Sequence, residues 1–166
     1  MQLYFRDNMF NAGVTEILDE QQAVVGHLDL KSAFGSSIHV YGSRDELLCS
    51  GKFRFFSSKW VITDGNDDEL GVLRSRFTFF SKKYTYEKDG RGSFDIESPA
   101  FSKEYEVMDE SGALVARFEK VSRWFSSGAY LLDTHSDRLD AYELLAVIMG
   151  IHEIQKHTNT AAGGAT

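Results

Sequence analysis

The side chains that could do chemistry in this 166-residue sequence are few and scattered. The segment His152-Glu-Ile-Gln-Lys-His157 resembles the zinc motif His-Glu-x-x-His, but its second histidine stands five residues after the first, which turns it off the shared helix face. Cys49 alternates with apolar residues, so we expect a buried, inert thiol rather than a nucleophile. His27 and His39 are predicted on outward strand faces, with no Ser or Cys partner at a recognisable spacing.

Two loop segments could bind an ion or a phosphate. Four oxygen-bearing side chains share one predicted loop: Asp64, Asn66, Asp68 and Glu69. That loop lacks the twelve-residue layout and distal glutamate of an EF-hand, so a solvated hairpin is expected. Gly51-Lys52 is not a phosphate-binding loop, because the earlier glycine and the following Ser or Thr are missing. The sequence therefore predicts no enzyme, no metal site and no cofactor.

The remaining candidate is a set of basic residues at equivalent turn positions of a repeated unit. It comprises Lys59, Lys82, Lys83, Lys103 and Arg123. These side chains would converge on anionic lipid headgroups or on phosphate, with Trp60 and Trp124 available for interfacial contact. The alternative is that they are ordinary solvated turn residues, as lysines commonly are.

The repeated unit begins at a phenylalanine that stands four or five residues ahead of an apolar β-former. Its six copies begin at Phe10, Phe34, Phe56, Phe80, Phe101 and Phe125, at intervals of 24, 22, 24, 21 and 24 residues. Each unit begins with a tight turn of the Phe-Ser type, which leads into a short strand of alternating apolar and polar residues. A polar hairpin and a longer returning strand complete the unit. The pattern predicts twelve antiparallel strands near 2–6, 13–18, 23–31, 36–41, 46–55, 59–63, 69–79, 83–87, 92–97, 103–108, 113–121 and 129–133. In the fifth strand we expect Leu47, Cys49, Gly51, Phe53 and Phe55 to share the buried face.

The C-terminal pattern predicts one helix over residues 137–156, with Asp137 as its N-cap. Its run from Leu144 to Ile151 is apolar on every side and too short for a bilayer, which needs about 20 residues, so protein must enclose it. Twelve strands make a ring roughly 24 Å across, whose lumen matches a helix. We therefore predict a mainly β fold, a closed 12-stranded antiparallel barrel that encloses a hydrophobic C-terminal helix. The expected small lining positions are Gly26, Gly51, Gly71 and Ser75.

Charge and composition set further expectations. Residues 1–157 form one domain, and the small-residue tail 158–166 is expected to be disordered. Glu143 needs a partner inside the barrel, and we expect a rim arginine near the mouth. Alternate loops lie on opposite rims, so the Phe-Ser turns form a basic rim and the polar hairpins an acidic one. The net charge of −7 argues against nucleic acid, and the absence of a secretory leader or transmembrane segment predicts a cytoplasmic location.

The whole chain resembles a known family. The segments that carry the resemblance are Lys52-Phe-Arg-Phe-Phe-Ser57, Arg76-Phe-Thr-Phe-Phe-Ser81, Leu3-Tyr-Phe-Arg-Asp-Asn-Met-Phe10 and the closing helix. They are similar to the tubby C-terminal-like superfamily and, within it, to the LURP-one-related family. The resemblance implies a non-enzymatic, lipid-related scaffold, since tubby domains bind phosphoinositide headgroups through basic side chains and the related phospholipid scramblases act on membranes. The chain lacks the Pro-rich leader and cysteine cluster of scramblases, and tubby's headgroup-binding lysines do not match it residue by residue, so no site is carried over.

Two functions remain open at this point. The first is a non-catalytic cytosolic barrel that binds anionic lipid headgroups or a phosphorylated ligand at the basic rim, peripherally at a membrane. The alternative is a protein-interaction scaffold that does not bind lipid. One form of this alternative is a homo-oligomer. A hydrolase would need a pocket with convergent titratable groups, and a filled lumen leaves little room for one.

Overall fold

The computed structural model describes residues 1–11, 13–31, 37–77, 82–98, 102–122 and 128–163. Within them, twelve antiparallel strands form a closed barrel around one C-terminal helix, as predicted. The strands are β1 (Gln2–Arg6), β2 (Gly13–Leu18), β3 (Val24–Lys31), β4 (Ser37–Gly42), β5 (Leu47–Phe53), β6 (Trp60–Asp64), β7 (Glu69–Phe77), β8 (Lys82–Lys88), β9 (Gly92–Ser98), β10 (Tyr105–Asp109), β11 (Leu114–Val121) and β12 (Ala129–Thr134). The helix α1 is Ala141–Gly163. Each strand boundary lies within two residues of its predicted position.

The barrel closes because its first strand pairs with its last. β1 and β12 run antiparallel from the Gln2–Asp133 pair to the Arg6–Ala129 pair, while every other neighbour in the ring is consecutive in sequence. The amino group of Met1 extends this seam with a hydrogen bond of 2.8 Å to the carbonyl oxygen of Thr134. Closure gives each of the twelve described strands a partner on both sides, so none of them is an edge that could pair with another molecule.

Three of the polar hairpins share one feature, an aspartate that closes its own turn. The Oδ1 atom of Asp64 accepts hydrogen bonds from the backbone N–H groups two and four residues later, at 2.8 and 3.0 Å. Asp19 and Asp109 do the same in their hairpins. Hydrogen bonds from the Ser111 hydroxyl and the backbone lower the pKa of Asp109. In the loop that the sequence offered as a cation site, one oxygen of the Asp64 carboxylate is therefore engaged by the backbone of its own hairpin.

The lumen is filled by α1 and the inward side chains of the strands. The central turns of the helix, from Leu144 to Met149, are completely buried. Trp60 is also completely buried, with its ring wedged between two glycines. A Cβ atom added at Gly51 would fall 2.5 Å from the Trp60 Nε1 atom, and one added at Gly150 would fall 2.4 Å from its Cδ1 atom. The expectation that Trp60 contacts an interface is therefore wrong, because its indole fills the gap between wall and helix.

The other predicted small positions differ in what approaches them. A Cβ atom at Gly71 would fall 2.6 Å from the Tyr86 hydroxyl oxygen, which lies inside the barrel. At Gly26 the close atom is the carbonyl oxygen of Tyr41 in the neighbouring strand, 2.2 Å away. Ser75 is half-buried and lines a groove described below. Gly51 therefore makes room for a side chain of the lumen and Gly26 for backbone, whereas Gly71 makes room for both, because the Glu87 carbonyl oxygen would also lie 2.6 Å from the added Cβ atom.

The helix begins and ends later in the chain than predicted. Its N-cap is Asp140 rather than Asp137, since the Asp140 Oδ1 atom accepts hydrogen bonds from the N–H groups of Tyr142 and Glu143 at 2.9 and 3.1 Å. Leu139 is buried and must enter the core before the helix can start. At the other end no helix breaker stands before Gly163, so the helix continues beyond residue 156 into the segment expected as a tail.

Candidate functional site

The helix is oriented from one rim of the barrel to the other. The connections that follow β1, β3, β5, β7, β9 and β11 lie at one end, which we call the Phe-Ser rim, and the alternate hairpins form the acidic rim. α1 starts at the acidic rim and ends at the Phe-Ser rim. There His152 packs on Phe10 with ring centroids 4.8 Å apart, and His157 packs on Phe53 at 4.5 Å. The two histidines of the zinc-like segment thus contact different walls of the barrel.

The predicted basic residues lie at the Phe-Ser rim, in turns or at strand ends. Lys59 ends the turn before β6, Lys82 and Lys83 begin β8, and Lys103 lies just before β10. Arg123 falls outside the described residues, as does Trp124. The fold therefore gathers the four described lysines at one end of the barrel, on three separate connections.

Only part of this set is free to meet an external anion. The ammonium of Lys83 pairs with the carboxylate of Glu97 on the next strand. The Lys103 Nζ atom lies 4.7 Å from the centroid of the Phe10 ring, a cation–π contact that leaves its charge exposed. Within the part of the chain that the structure describes, no ion pair involves Lys59, Lys82 or Lys103. Of the predicted basic residues that the structure describes, these three lysines are therefore the ones that can meet an anion without first breaking an ion pair.

Ion pairs reduce the separation of charge between the two rims. Several cations that the sequence places on the Phe-Ser side have acidic partners: Lys31 with Asp29, Lys52 with Asp67, Arg54 with Glu69, Lys83 with Glu97, and Lys120 with Asp7. Both partners of each pair retain solvent exposure, so each contributes about 1 kcal/mol or less and is screened by salt. Such pairs can be exchanged for an external anion at little cost.

The rim also displays an aromatic pair, one member of which, Phe55, the strand pattern placed in the core. Phe55 and Phe56 are 84% and 96% exposed, and their ring centroids lie 4.2 Å apart in an edge-on arrangement. β5 ends at Phe53, and the chain turns through a hydrogen bond of 3.0 Å from the Ser57 N–H to the Arg54 carbonyl oxygen. The prediction that Phe55 faces inward is therefore wrong. Adjacent strand residues point to opposite faces, so two consecutive phenylalanines already required that one of them leave the core.

A groove lies between this turn and the end of α1. It has a volume of 780 Å³. Its lining includes Phe53, Phe55, Phe56, Ser57, Ser58 and Ser75 from the wall, Lys52 and Arg54 beside the turn, and Ile154, His157 and Thr158 from the helix. The lining is thus mixed: three phenylalanines and Ile154 supply its apolar surface, and hydroxyl groups, His157 and the two cations supply the rest.

At the opposite end of the lumen, a buried charge cluster fixes the start of α1. The Lys88 Nζ atom donates to Glu143 Oε2 at 2.5 Å, and the Tyr86 hydroxyl donates to Glu143 Oε1 at 2.6 Å. The partner of Glu143 is therefore a lysine from β8 and not a rim arginine. Burial, and then the negative charge of Glu143, raise the pKa of Tyr86, which keeps its hydroxyl a donor. Lys88 follows Tyr84 and Tyr86 in the alternation of β8, and that phase was the signal for its inward direction.

Residue types of a hydrolytic triad occur side by side on the outer wall without its geometry. The register places Asp29 opposite His39, and His39 opposite Ser50. However, the His39 Nδ1 atom lies 3.2 Å from the Tyr41 hydroxyl oxygen, and the Ser50 hydroxyl lies 2.8 Å from that of Thr63. The hydrogen bonds that would link base and nucleophile are thus replaced by others.

Cys49 is also unsuited to nucleophilic chemistry. It is buried, and its Sγ atom donates to the Tyr142 carbonyl oxygen at 3.4 Å. Burial raises the pKa of the thiol, so the reactive thiolate is disfavoured. Across the described ranges, no group of three His, Cys, Asp or Glu side chains is placed to hold a metal ion. In the same ranges no helix is both long and apolar enough to cross a bilayer.

Comparisons with known proteins place this fold among its relatives. The model of the family described as LURP-one-related matches residues 1–151. No curated protein matches the chain. Among solved structures, the X-ray structure of a protein from Arabidopsis thaliana superimposes with a TM-score of 0.61 at 13% identity, over 93% of this chain and 91% of that one. At that identity the likeness is one of fold.

Proposed function

The chain belongs to the LURP-one-related family, and from that premise we propose that it is a non-catalytic barrel that binds anionic lipid headgroups peripherally through its Phe-Ser rim. The observation that carries the proposal is the exposed pair Phe55–Phe56 on the same rim as Lys59, Lys82 and Lys103. Exposed apolar groups beside cations are the usual make-up of a surface that docks on a membrane.

The two kinds of side chain have complementary roles. Each lysine near an anionic bilayer contributes about 1 kcal/mol of attraction, which falls off within the screening length of the salt. Each phenylalanine ring that leaves water contributes roughly 1.5–3 kcal/mol, independent of lipid charge. Neither term alone gives firm anchoring, whereas a cationic patch with an apolar anchor does.

The opposite rim sets the orientation of the molecule. Its hairpins carry Asp19, Asp64 and Asp109, whose carboxylates are engaged by their own turns and stay at that end of the barrel. An anionic surface repels this end and attracts the Phe-Ser rim, even though the whole chain has a net charge of −7. The exposed end of α1, from Lys156 to Thr160, would then lie among the headgroups with its lysine and hydroxyl groups.

Co-sedimentation with vesicles tests this function. The protein is mixed with phosphatidylcholine vesicles with and without phosphatidylserine, at low and at high salt. Binding that requires the anionic lipid and weakens with salt is expected. Equal recovery with neutral and anionic vesicles, or none with either, would rule the proposal out. Competition by soluble inositol trisphosphate separates a free phosphorylated ligand from a lipid surface.

A further inference from the structure

We infer that the groove between the β5–β6 turn and the end of α1 takes up one acyl chain of an anionic phospholipid. This inference deepens the proposed function, and it rests on that function for bringing the Phe-Ser rim to a membrane. It assigns a separate site, however, because the groove could be filled or blocked while the rim still meets the bilayer. Three features of the described residues support it: the volume of the groove, the four apolar side chains in its lining, and the cations at its edge.

The size and lining of the groove suit a chain molecule. Its volume of 780 Å³ lies within the range of about 300–1,000 Å³ typical of small-ligand sites. Phe53 and Ile154 form a firm apolar base, since Ile154 is buried and Phe53 packs edge-on against Trp60 with ring centroids 5.0 Å apart. Phe55 and Phe56 form the outer wall. These aromatic rings are exposed to water unless an apolar molecule covers them.

The edge of the groove carries groups that recognise an anionic head. Arg54 and Lys52 lie beside the aromatic turn, and the Ser58 hydroxyl is exposed next to them. Arg54 presents a guanidinium that can bind phosphate oxygens through two N–H groups. Its present partner, Glu69, lies 2.7 Å away in an exposed pair, so the exchange for a phosphate costs little.

The head of the lipid, rather than its acyl chain, sets the selectivity of the groove. A chain that moves from a bilayer into an apolar groove gains little, because both environments exclude water, so the contacts of its head decide whether it moves. Here the cationic groups and the apolar base lie at the same rim as Lys59 and Lys82, which places the groove mouth at the level of the headgroups. In water, an anionic and a neutral molecule with the same chain gain equally from burying it, so the contacts of the head should make the anionic one bind more tightly.

The test uses dodecyl phosphate below its critical micelle concentration, so that no bilayer is present, with titration calorimetry as the readout. The wild-type chain should bind it with one-to-one stoichiometry, and the neutral dodecyl maltoside at least about tenfold more weakly. Thr158→Trp fills the groove from an exposed helix position and should weaken binding by about tenfold or more. Thr160→Trp is the matched control: its hydroxyl bonds the carbonyl four residues back, like that of Thr158, but it does not line the groove.

The outcomes separate the two proposals. The inference is overturned if dodecyl phosphate does not saturate a single site, if the maltoside binds equally well, or if Thr158→Trp binds like Thr160→Trp. Vesicle co-sedimentation of Thr158→Trp should stay near the wild-type level, because the lysines and the Phe55–Phe56 pair remain. Vesicle binding without dodecyl phosphate binding therefore removes this inference alone. The reverse result removes the proposed function and leaves the groove as a site for a soluble amphiphile.

Discussion

The ammonium group of Lys88 lies 2.5 Å from the carboxylate of Glu143 inside the barrel, where the two side chains are only 2% and 6% exposed. The pair joins β8 to the first turn of α1, and the Tyr86 hydroxyl and the Arg138 carbonyl oxygen complete its hydrogen bonds. It therefore fixes the height and rotation of the helix in the lumen.

Removing one partner of this pair should be strongly destabilising. Lys88→Met or Glu143→Gln alone leaves a buried group without its partner and should lower the free energy of unfolding by about 3–5 kcal/mol. The double variant Lys88→Met/Glu143→Gln should be more stable than Lys88→Met, because no uncompensated charge remains. Urea denaturation followed by circular dichroism measures all three. Additive losses in the double variant would show that the two side chains are not coupled.

Gly150→Ala should destabilise the protein although alanine is the better helix former. In an exposed helix the change gains about 1 kcal/mol, but here the new methyl group would meet the Trp60 ring at 2.4 Å, and overpacking costs about 1–3 kcal/mol. Asn159→Ala, at an exposed position of the same helix, is the control and should cost nothing. Trp60→Phe should recover part of the stability of Gly150→Ala in the double variant. A gain in the thermal midpoint of Gly150→Ala would contradict the packing described above.

Phe56→Gly should stabilise the fold while it weakens membrane binding. Phe56 has φ = 55°, a left-handed conformation that costs a non-glycine residue roughly 1–2 kcal/mol. Phe56→Gly relieves it and should raise the free energy of unfolding by up to about 1 kcal/mol, after the entropy of the unfolded glycine is allowed for. The same change should weaken vesicle binding by about tenfold.

Gln22→Gly provides the control for that result, because Gln22 has φ = 63° in a hairpin of the acidic rim. It should change stability in the same direction and leave vesicle binding unchanged. If Phe56→Gly keeps full vesicle affinity, the aromatic pair does not contact lipid.

The available lysines should contribute to vesicle binding individually. Lys59→Ala, Lys82→Ala and Lys103→Ala should each weaken binding to phosphatidylserine vesicles by about fivefold at low salt, the equivalent of about 1 kcal/mol per charge. Arg44→Ala, in an exposed hairpin of the acidic rim, should have no such effect. Equal losses in Arg44→Ala would mean that net charge, rather than the Phe-Ser rim, governs attraction.

His152 should make the fold sensitive to mild acid. Burial lowers the pKa of His152 below its usual 6.5, with Lys103 and Lys156 acting in the same direction and Glu153 opposing them. Because the folded state binds the proton less readily than the unfolded one, the neutral histidine's contribution is complete above pH 6.5 and is lost as the pH falls below it. His152→Gln should therefore show a smaller loss of stability over that interval than the wild type in urea titrations. Parallel pH profiles for the two proteins would refute this assignment.

The architecture could be predicted from the sequence because it depends on the regular spacing of apolar residues. The alternation of large apolar residues and the recurrence of Phe10, Phe56 and their equivalents determined strand number, and the uniformly apolar stretch from Leu144 to Ile151 required an enclosing wall. A strand count and a helix diameter were then enough to predict closure.

The candidate site was harder to predict from the sequence, because it depends on side chains that depart from the alternation of the strands. Phe55 alternates correctly with Phe53 and yet lies outside, since the strand ends between them. Lys88 looks like a turn residue and yet lies inside, since its partner is 55 positions away in the chain. The helix N-cap depended on the burial of Leu139, which local propensity does not record.

The seam between β1 and β12 governs the order in which the chain can assemble during synthesis. Each hairpin can form as soon as its two strands emerge from the ribosome, but the cylinder cannot seal until β12 is made, and the helix that fills it comes later still. The growing polypeptide therefore passes through an open, curved sheet. The aromatic inner face of this sheet is exposed to water, and its two edge strands are unpaired. The risk of aggregation should therefore be highest during synthesis. Chaperones that cover exposed strands should affect the yield of folded protein more than the stability of the finished barrel does.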